Sequence, residues 1–400
     1  MADLLERILA YAGEKPELLQ RGPMSPRERR YRIVSADDHL TEPPHMFEGR
    51  VPRRFADVAP RVERDEHGHD WWVFDHERVP LLGSDSWQGF EPGHAYLGQV
   101  NFDDLHPAVY DIHERVKHMD VVGVEASLNF ASAPFGFAGT RFMKMHDPDA
   151  GLACMRAFND WHLEEWASPY PGRIIPNQVT WLRDPNIAAS EVRRNAERGF
   201  KALSFSENPA QLGLPSLYTE HWDPLLDACV ETGTVINLHV GSSSQTMVPS
   251  ADSAPAVLGA LFPINAMAAA VDWVFSGALL RFPDLRIALS EGGIGWIPVV
   301  VDRIEIMSRQ LDYPAQFGDL SPVDVLRRNF WFTALYEEQA MAQRHLAGVD
   351  HIMVEVDYPH SDSTWPDVQE LLARQLAGVP DDEVAKMTHL NAIELYGLDR

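Results

Sequence analysis

The feature that most constrains this chain is a recurring pair: a short apolar run followed by a stretch of helical spacing, from residue 32 onward. The apolar runs lie at 32–36, 125–129, 174–180, 202–206, 235–240, 286–290, 330–334 and 352–356. Between them, stretches such as 151–168, 187–198, 222–231, 297–310, 337–347 and 368–377 place apolar residues at helical intervals. Strands that each lead into a helix, repeated in this way, predict an α/β fold. The specific expectation is a closed (β/α)8 TIM-like barrel. An open doubly wound sheet suits a Gly-rich phosphate turn after the first strand, whereas this first strand runs into Ala36-Asp37-Asp38-His39.

Two segments fall outside the repeat. Residues 1–30 read as an N-terminal helical arm, with Leu4, Leu5, Ile8, Leu9 and Tyr11 on one face and Pro23 and Pro26 ending it. Residues 31–400 then form the barrel domain. About 85 residues separate the first strand from the second, and a connection of that length without function is uncommon. The segment 41–110 is rich in Pro, Gly, His and Trp, including Trp71, Trp72 and Trp87. It is expected to be an insertion over the barrel mouth with a short hairpin near 71–79. The competing reading is a surface ornament or a subunit contact. A homodimer is expected, with the arm or the insertion in the contact.

Hydrophobic residues make up 45% and charged residues 23%, which suits a globular chain and not a disordered one. A net charge of −25 repels phosphate backbones and anionic lipid heads, so nucleic acid and membrane are not the expected partners. A small-molecule substrate is. No run of 18 apolar residues stands out as a membrane span, and the first 30 residues have no signal-peptide core. Cys154 and Cys229 are in no CxxC pair, and reduced buried thiols in a cytoplasmic protein are expected.

The chemistry concentrates at strand ends. Asp37 and His39 are two apart, so both face one way at the C-terminal end of the first strand, where barrel enzymes keep their active sites. The apolar run 235–238 ends in His239, and the run from 352 leads to Asp357. In a closed barrel the last strand neighbours the first, which brings Asp357 toward Asp37. Two carboxylates so placed repel unless one is protonated or a cation lies between them. Asp37, His39, His239 and Asp357 are therefore expected to bind one divalent metal ion. Glu291 ends the run 287–290 and precedes Gly292-Gly293. It is a candidate ligand or proton-transfer residue, the bland alternative being a salt bridge to Arg303.

This ordered set resembles the amidohydrolase superfamily, and within it the group of aminocarboxymuconate-semialdehyde decarboxylase and γ-resorcylate decarboxylase. That group pairs an (H/E/D)xH at the first strand with a His at strand five and an Asp at strand eight, commonly followed by Tyr-Pro. Asp37, His39, His239 and Asp357-Tyr358-Pro359 match those places, and the resemblance covers roughly residues 31–400. It implies a mononuclear metal barrel. There is one departure: relatives carry a catalytic His at the end of strand six, where this chain has Glu291. The Gly-rich turn and the helix arginine, Arg303, are kept.

The resemblance implies a metal-dependent, non-oxidative carboxy-lyase acting on a small, aromatic or unsaturated carboxylic acid. In that reading Glu291, Asp357 and His239 are catalytic, and Arg303 and His360 orient the acid. The alternative is a hydrolase using metal-activated water on an amide, lactone or C–C bond. Zinc needs the fewest assumptions about geometry and is the expected ion, and manganese and iron(II) suit the same mixed O/N donors.

Overall fold

The computed structural model describes residues 9, 11–250, 252–311, 317 and 320–399. Residues 1–8 and 10 of the N-terminal arm, with Leu4, Leu5 and Ile8 of its expected apolar face, lie outside them. The first strand, β1 (Ile33–His39), is followed by the insertion, which carries β2 (Arg61–Arg64), β3 (Asp70–Phe74) and β4 (Glu77–Pro80). The later strands are β5 (Val124–Phe130), β6 (Ile174–Ile175), β7 (Asn177–Val179), β8 (Ala202–Phe205) and β9 (Val235–His239). They are completed by β10 (Ile287–Ser290), β11 (Phe330–Ala334) and β12 (Ile352–Val354).

Hydrogen bonding orders these strands β1-β5-β6 and β7-β8-β9-β10-β11-β12, all in parallel. The strands β6 and β7 are one barrel strand interrupted at Pro176, which has no N–H to give to a ladder. Its carbonyl still accepts from the N–H of Lys201 at 3.0 Å and of Ala202 at 3.2 Å. At the other seam, Asp357 N–H donates to Asp37 O at 2.9 Å and His39 N–H to Tyr358 O at 2.7 Å. These bonds join the segment after β12 to β1 and bring Asp37, His39 and Asp357 together. Inside the ring a separate core takes Val34, Ala126, Ala202, Val235, Ala288 and Met353 from successive strands. The C-terminal helix plugs it through Tyr396, whose hydroxyl donates to Asn237 Oδ1 at 2.6 Å.

Around the ring lie α1 (Ile112–Val122), α2 (Pro148–Trp161), α3 (Pro185–Arg198), α4 (Asp223–Thr232), α5 (Pro255–Phe275), α6 (Ile297–Gln310), α7 (Pro322–Asn329) and α8 (Val368–Gln375). Several starts are written in the sequence as an acid or Ser before Pro. Asp147 caps α2, Asp184 caps α3 and Ser321 caps α7, each accepting from first-turn N–H groups, with Pro in that turn. The helix read at 337–347 is in fact two short pieces, Glu338–Met341 and Arg344–Ala347. By length and composition alone α5 is apolar enough to cross a membrane, with a window of mean hydropathy 1.6 that is 28% buried. That qualifies the reading of the sequence as free of such a span. In the fold it takes the place of the barrel helix between β9 and β10.

Within residues 41–110, β2, β3 and β4 form an antiparallel sheet with a hairpin between β3 and β4. Trp72 and Phe74 are buried, and Phe74 stacks on Phe135 at 5.9 Å. The segment after β4 reaches the barrel mouth. Gln88 N–H donates to Pro359 O at 3.0 Å, and its side-chain amide to His360 O at 3.2 Å.

Candidate active site

Each site residue stands where its strand ends. In the ladder between β9 and β10, His239 lies level with Ser290, so Glu291 is the next residue out toward the mouth. A register shift between Ser35 and Asp38 in β1 separates the roles of the two adjacent acids. Asp38 turns into the seam, where its Oδ1 accepts from Ser35 Oγ and Tyr358 N–H, both at 3.1 Å. Asp37 and His39 face the pocket, as the two-residue spacing predicts.

The pocket brings four side chains together. His39 Nε2 lies 3.0 Å from His239 Nε2, 3.5 Å from Asp37 Oδ1 and 3.4 Å from Asp357 Oδ1. His239 Nε2 lies 3.5 Å from Asp37 Oδ2. All four residues are buried. His239 Nδ1 sits 2.6 Å from the Val240 carbonyl. It donates there, so the Nε2 facing the pocket is an acceptor. Among the described residues, no carboxylate oxygen of Asp37 or Asp357 has a hydrogen-bond partner. His360 Nδ1 approaches Asp357 Oδ1 at 3.0 Å but without hydrogen-bond geometry. Four orphan carboxylate oxygens beside two inward-facing imidazole nitrogens form a donor set that fits a divalent cation.

Electrostatics point the same way. Burial, then the charges of Glu355, Asp357 and Glu291, push the Asp37 carboxyl well above its ordinary range. Burial, then Asp362 and Glu355, does the same to Asp357. Without a cation the charged forms of these acids are disfavoured. Burial pushes His39 well down and His239 to about 3, which keeps both imidazoles in the neutral form that ligates metal.

Glu291 enters the same pocket, with Oε2 3.7 Å from His239 Nε2. Burial and then the negative charge of Asp357 raise its carboxyl well above the usual range. Its backbone has φ 58° and that of Asp357 has φ 56°. Non-glycine residues in this left-handed region carry about 1–3 kcal/mol of strain, and such strain clusters at functional sites. His360 stacks on His39, with ring centroids 3.8 Å apart. Its side chain is 13% exposed, so it lies on the solvent side of the buried four.

Arg303 requires a correction. It is exposed on α6, and its Nη2 contacts Met307 Sδ at 3.8 Å. Among the described residues it forms no ion pair, so it neither joins this cluster nor neutralises Glu291. The outward turn of the α6 helix at that position is the reason.

Three neighbours went unread in the sequence. Glu355 is buried, and its Oε2 accepts the Glu291 N–H at 3.1 Å, which helps hold the strained backbone there. The spacing Glu355-Val356-Asp357 was the available signal. Phe137 closes over the histidines at 4.2 Å from His239 and 5.1 Å from His39. It comes from a loop with no motif. Asp362 completes a group with Glu291, Asp357 and His360 at the rim.

The amidohydrolase family model matches residues 65–398. The chain belongs to the amidohydrolase family. The match begins beyond β1, so the place of Asp37 and His39 in the site rests on the geometry above. This amidohydrolase is 26% identical, over 266 residues, to 2-amino-3-carboxymuconate-6-semialdehyde decarboxylase of Dictyostelium discoideum, covering 63% of this chain and 68% of that one. Among solved structures it resembles an amidohydrolase of Mycobacterium avium subsp. paratuberculosis. The TM-score is 0.74 at 22% identity, over 92% of this chain and 100% of the other. It also resembles 5-carboxyvanillate decarboxylase of Novosphingobium aromaticivorans, solved with manganese and 4-hydroxy-3-methoxy-5-nitrobenzoic acid. There the TM-score is 0.62 at 16% identity, over 92% and 97% of the two chains. These likenesses fix the fold as the TIM-like barrel of this superfamily.

Proposed function

We propose that this amidohydrolase is a divalent-metal-dependent, non-oxidative decarboxylase of a small, aromatic or unsaturated carboxylic acid. The observation that carries the reading is the set of partnerless oxygens on Asp37 and Asp357 facing the imidazoles of His39 and His239. The reaction class is supported by the decarboxylases among the relatives. Asp37, His39, His239 and Asp357 would hold the ion. When bound, the ion supplies Lewis-acid polarisation of substrate oxygens. Both manganese and zinc suit two carboxylates and two imidazoles, and the manganese in the carboxyvanillate decarboxylase now favours manganese over the zinc preferred from sequence.

In this reading Glu291 is the proton donor. Loss of carbon dioxide breaks the bond between the carboxyl and its carbon, leaving an electron pair on that carbon. A proton must reach that carbon. Glu291 is buried beside the ligands, and burial and the charge of Asp357 raise its carboxyl well above the usual range, which favours its protonated form. The Glu355 contact holds its backbone in place. Phe137 and His360 offer flat surfaces beside the pocket, and in this reading His360 would meet the acid at the solvent side. Cys154 and Cys229 are free buried thiols, which suits a cytoplasmic enzyme.

Hydrolysis of an amide, lactone or C–C bond is the competing reaction on the same residues, with Glu291 or Asp357 taking a proton from water. One experiment separates them: manganese-loaded enzyme is offered a panel of aromatic and unsaturated carboxylic acids. Release of carbon dioxide with a product one carboxyl shorter supports the lyase. Turnover confined to amides or lactones would transfer the assignment to hydrolysis.

A further inference from the structure

We propose that Asp75, His76 and His146 form a second divalent-metal site, of the zinc class, on the surface between the insertion hairpin and the start of α2. Asp75 and His76 make the turn between β3 and β4, and His146 lies just before α2. Both imidazoles converge on one carboxylate oxygen. His76 Nδ1 is 3.0 Å and His146 Nδ1 3.1 Å from Asp75 Oδ2. The two ring centroids are 4.0 Å apart. All three donor atoms lie within 4.8 Å of one another. None of the three residues belongs to the catalytic cluster.

Two imidazolium rings at that spacing repel each other. Two neutral rings do not need to share an oxygen that already accepts the His146 N–H at 2.8 Å. One cation between the three donors uses both nitrogens and removes the repulsion. Two imidazole nitrogens and one carboxylate oxygen, with open positions left for water, suit zinc in tetrahedral coordination. The two segments are already held in register: Arg141 Nη1 meets Glu77 Oε2 at 2.8 Å, and His146 N–H donates to Asp75 Oδ2 at 2.8 Å. The donors are therefore presented together before an ion arrives, and binding would fasten the insertion hairpin to the start of α2.

The test compares zinc binding by the wild-type holoenzyme and by His76→Asn/His146→Asn, using equilibrium dialysis at micromolar free zinc. Both histidine side chains are largely exposed, at 52% and 74%, so the double variant should fold. The wild type is expected to take up one more equivalent per chain than the double variant, and zinc should raise the Tm of the wild type by more than that of the double variant. Basal activity should be the same in both. Equal uptake by the two proteins would overturn the site. Because the readout is the difference between them, it does not depend on what the catalytic cluster binds.

Discussion

The Nε2 atoms of His39 and His239 face each other at 3.0 Å across the barrel mouth, although the residues lie 200 positions apart in sequence. With the Nδ1 of His239 committed to the Val240 carbonyl, this approach, flanked by the bare oxygens of Asp37 and Asp357, is a coordination sphere in outline. Removing the ion should therefore cost both activity and stability, because buried carboxylates lose their counter-charge. Dialysis against a chelator is expected to abolish turnover and lower the Tm, and restoring manganese or zinc should recover both. Full activity after verified metal removal would exclude the proposed chemistry.

Glu291→Gln keeps the shape of the side chain and removes its proton-transfer capacity. Turnover should fall roughly 10²–10⁴-fold while metal content stays near stoichiometric. If Glu291 is a ligand, metal content falls together with activity. If neither changes, Glu291 leaves the mechanism and Asp357 remains as the proton-transfer candidate.

His162 gives a pH dependence remote from the catalytic cluster. It is buried, its Nε2 accepts the Asn177 N–H at 3.3 Å, and burial pushes its pKa down to about 3. The unfolded chain binds this proton near pH 6.5, whereas the folded chain does so only near 3. Stability from neutral His162 is thus fully present above about pH 6.5 and is lost as pH falls toward 3, by about 1.4 kcal/mol per pH unit. Denaturant titrations from pH 7 to 5 should show a steeper loss for the wild type than for His162→Gln. Parallel curves would mean that the fold does not lower the pKa of His162.

The chain is expected to be a homodimer, through the N-terminal arm or the insertion. Apolar surface suited to association is present elsewhere too, at Val299, Ile306 and Leu311, which are exposed on and just after α6. Light scattering at micromolar concentration should return twice the chain mass of 45.0 kDa. A mass equal to one chain would remove the dimer from the account.

Most of the barrel could be read because its strands are apolar on both faces and its helices amphipathic. The run at 235–240 became β9 at Val235–His239, and 330–334 matched β11 residue for residue. The helix α5 was not read, since a helix apolar nearly all round shows no stripe to recognise. The four ligand candidates were legible because polar residues that end apolar strands are anomalous. Glu355 and Phe137 were not, since one passes for a strand residue and the other comes from a loop that only the closed fold brings over the histidines. Arg303 came from the resemblance, and on this chain it stands on the exposed side of α6.

The most direct test of the central claim is a crystal of the metal-loaded enzyme with anomalous diffraction recorded at the absorption edge of the loaded ion. One buried peak is expected, with donor atoms of Asp37, His39, His239 and Asp357 about 2.0–2.3 Å away. A loaded crystal with no peak among these residues, or with their donors spread over more than about 6 Å around it, would contradict the account.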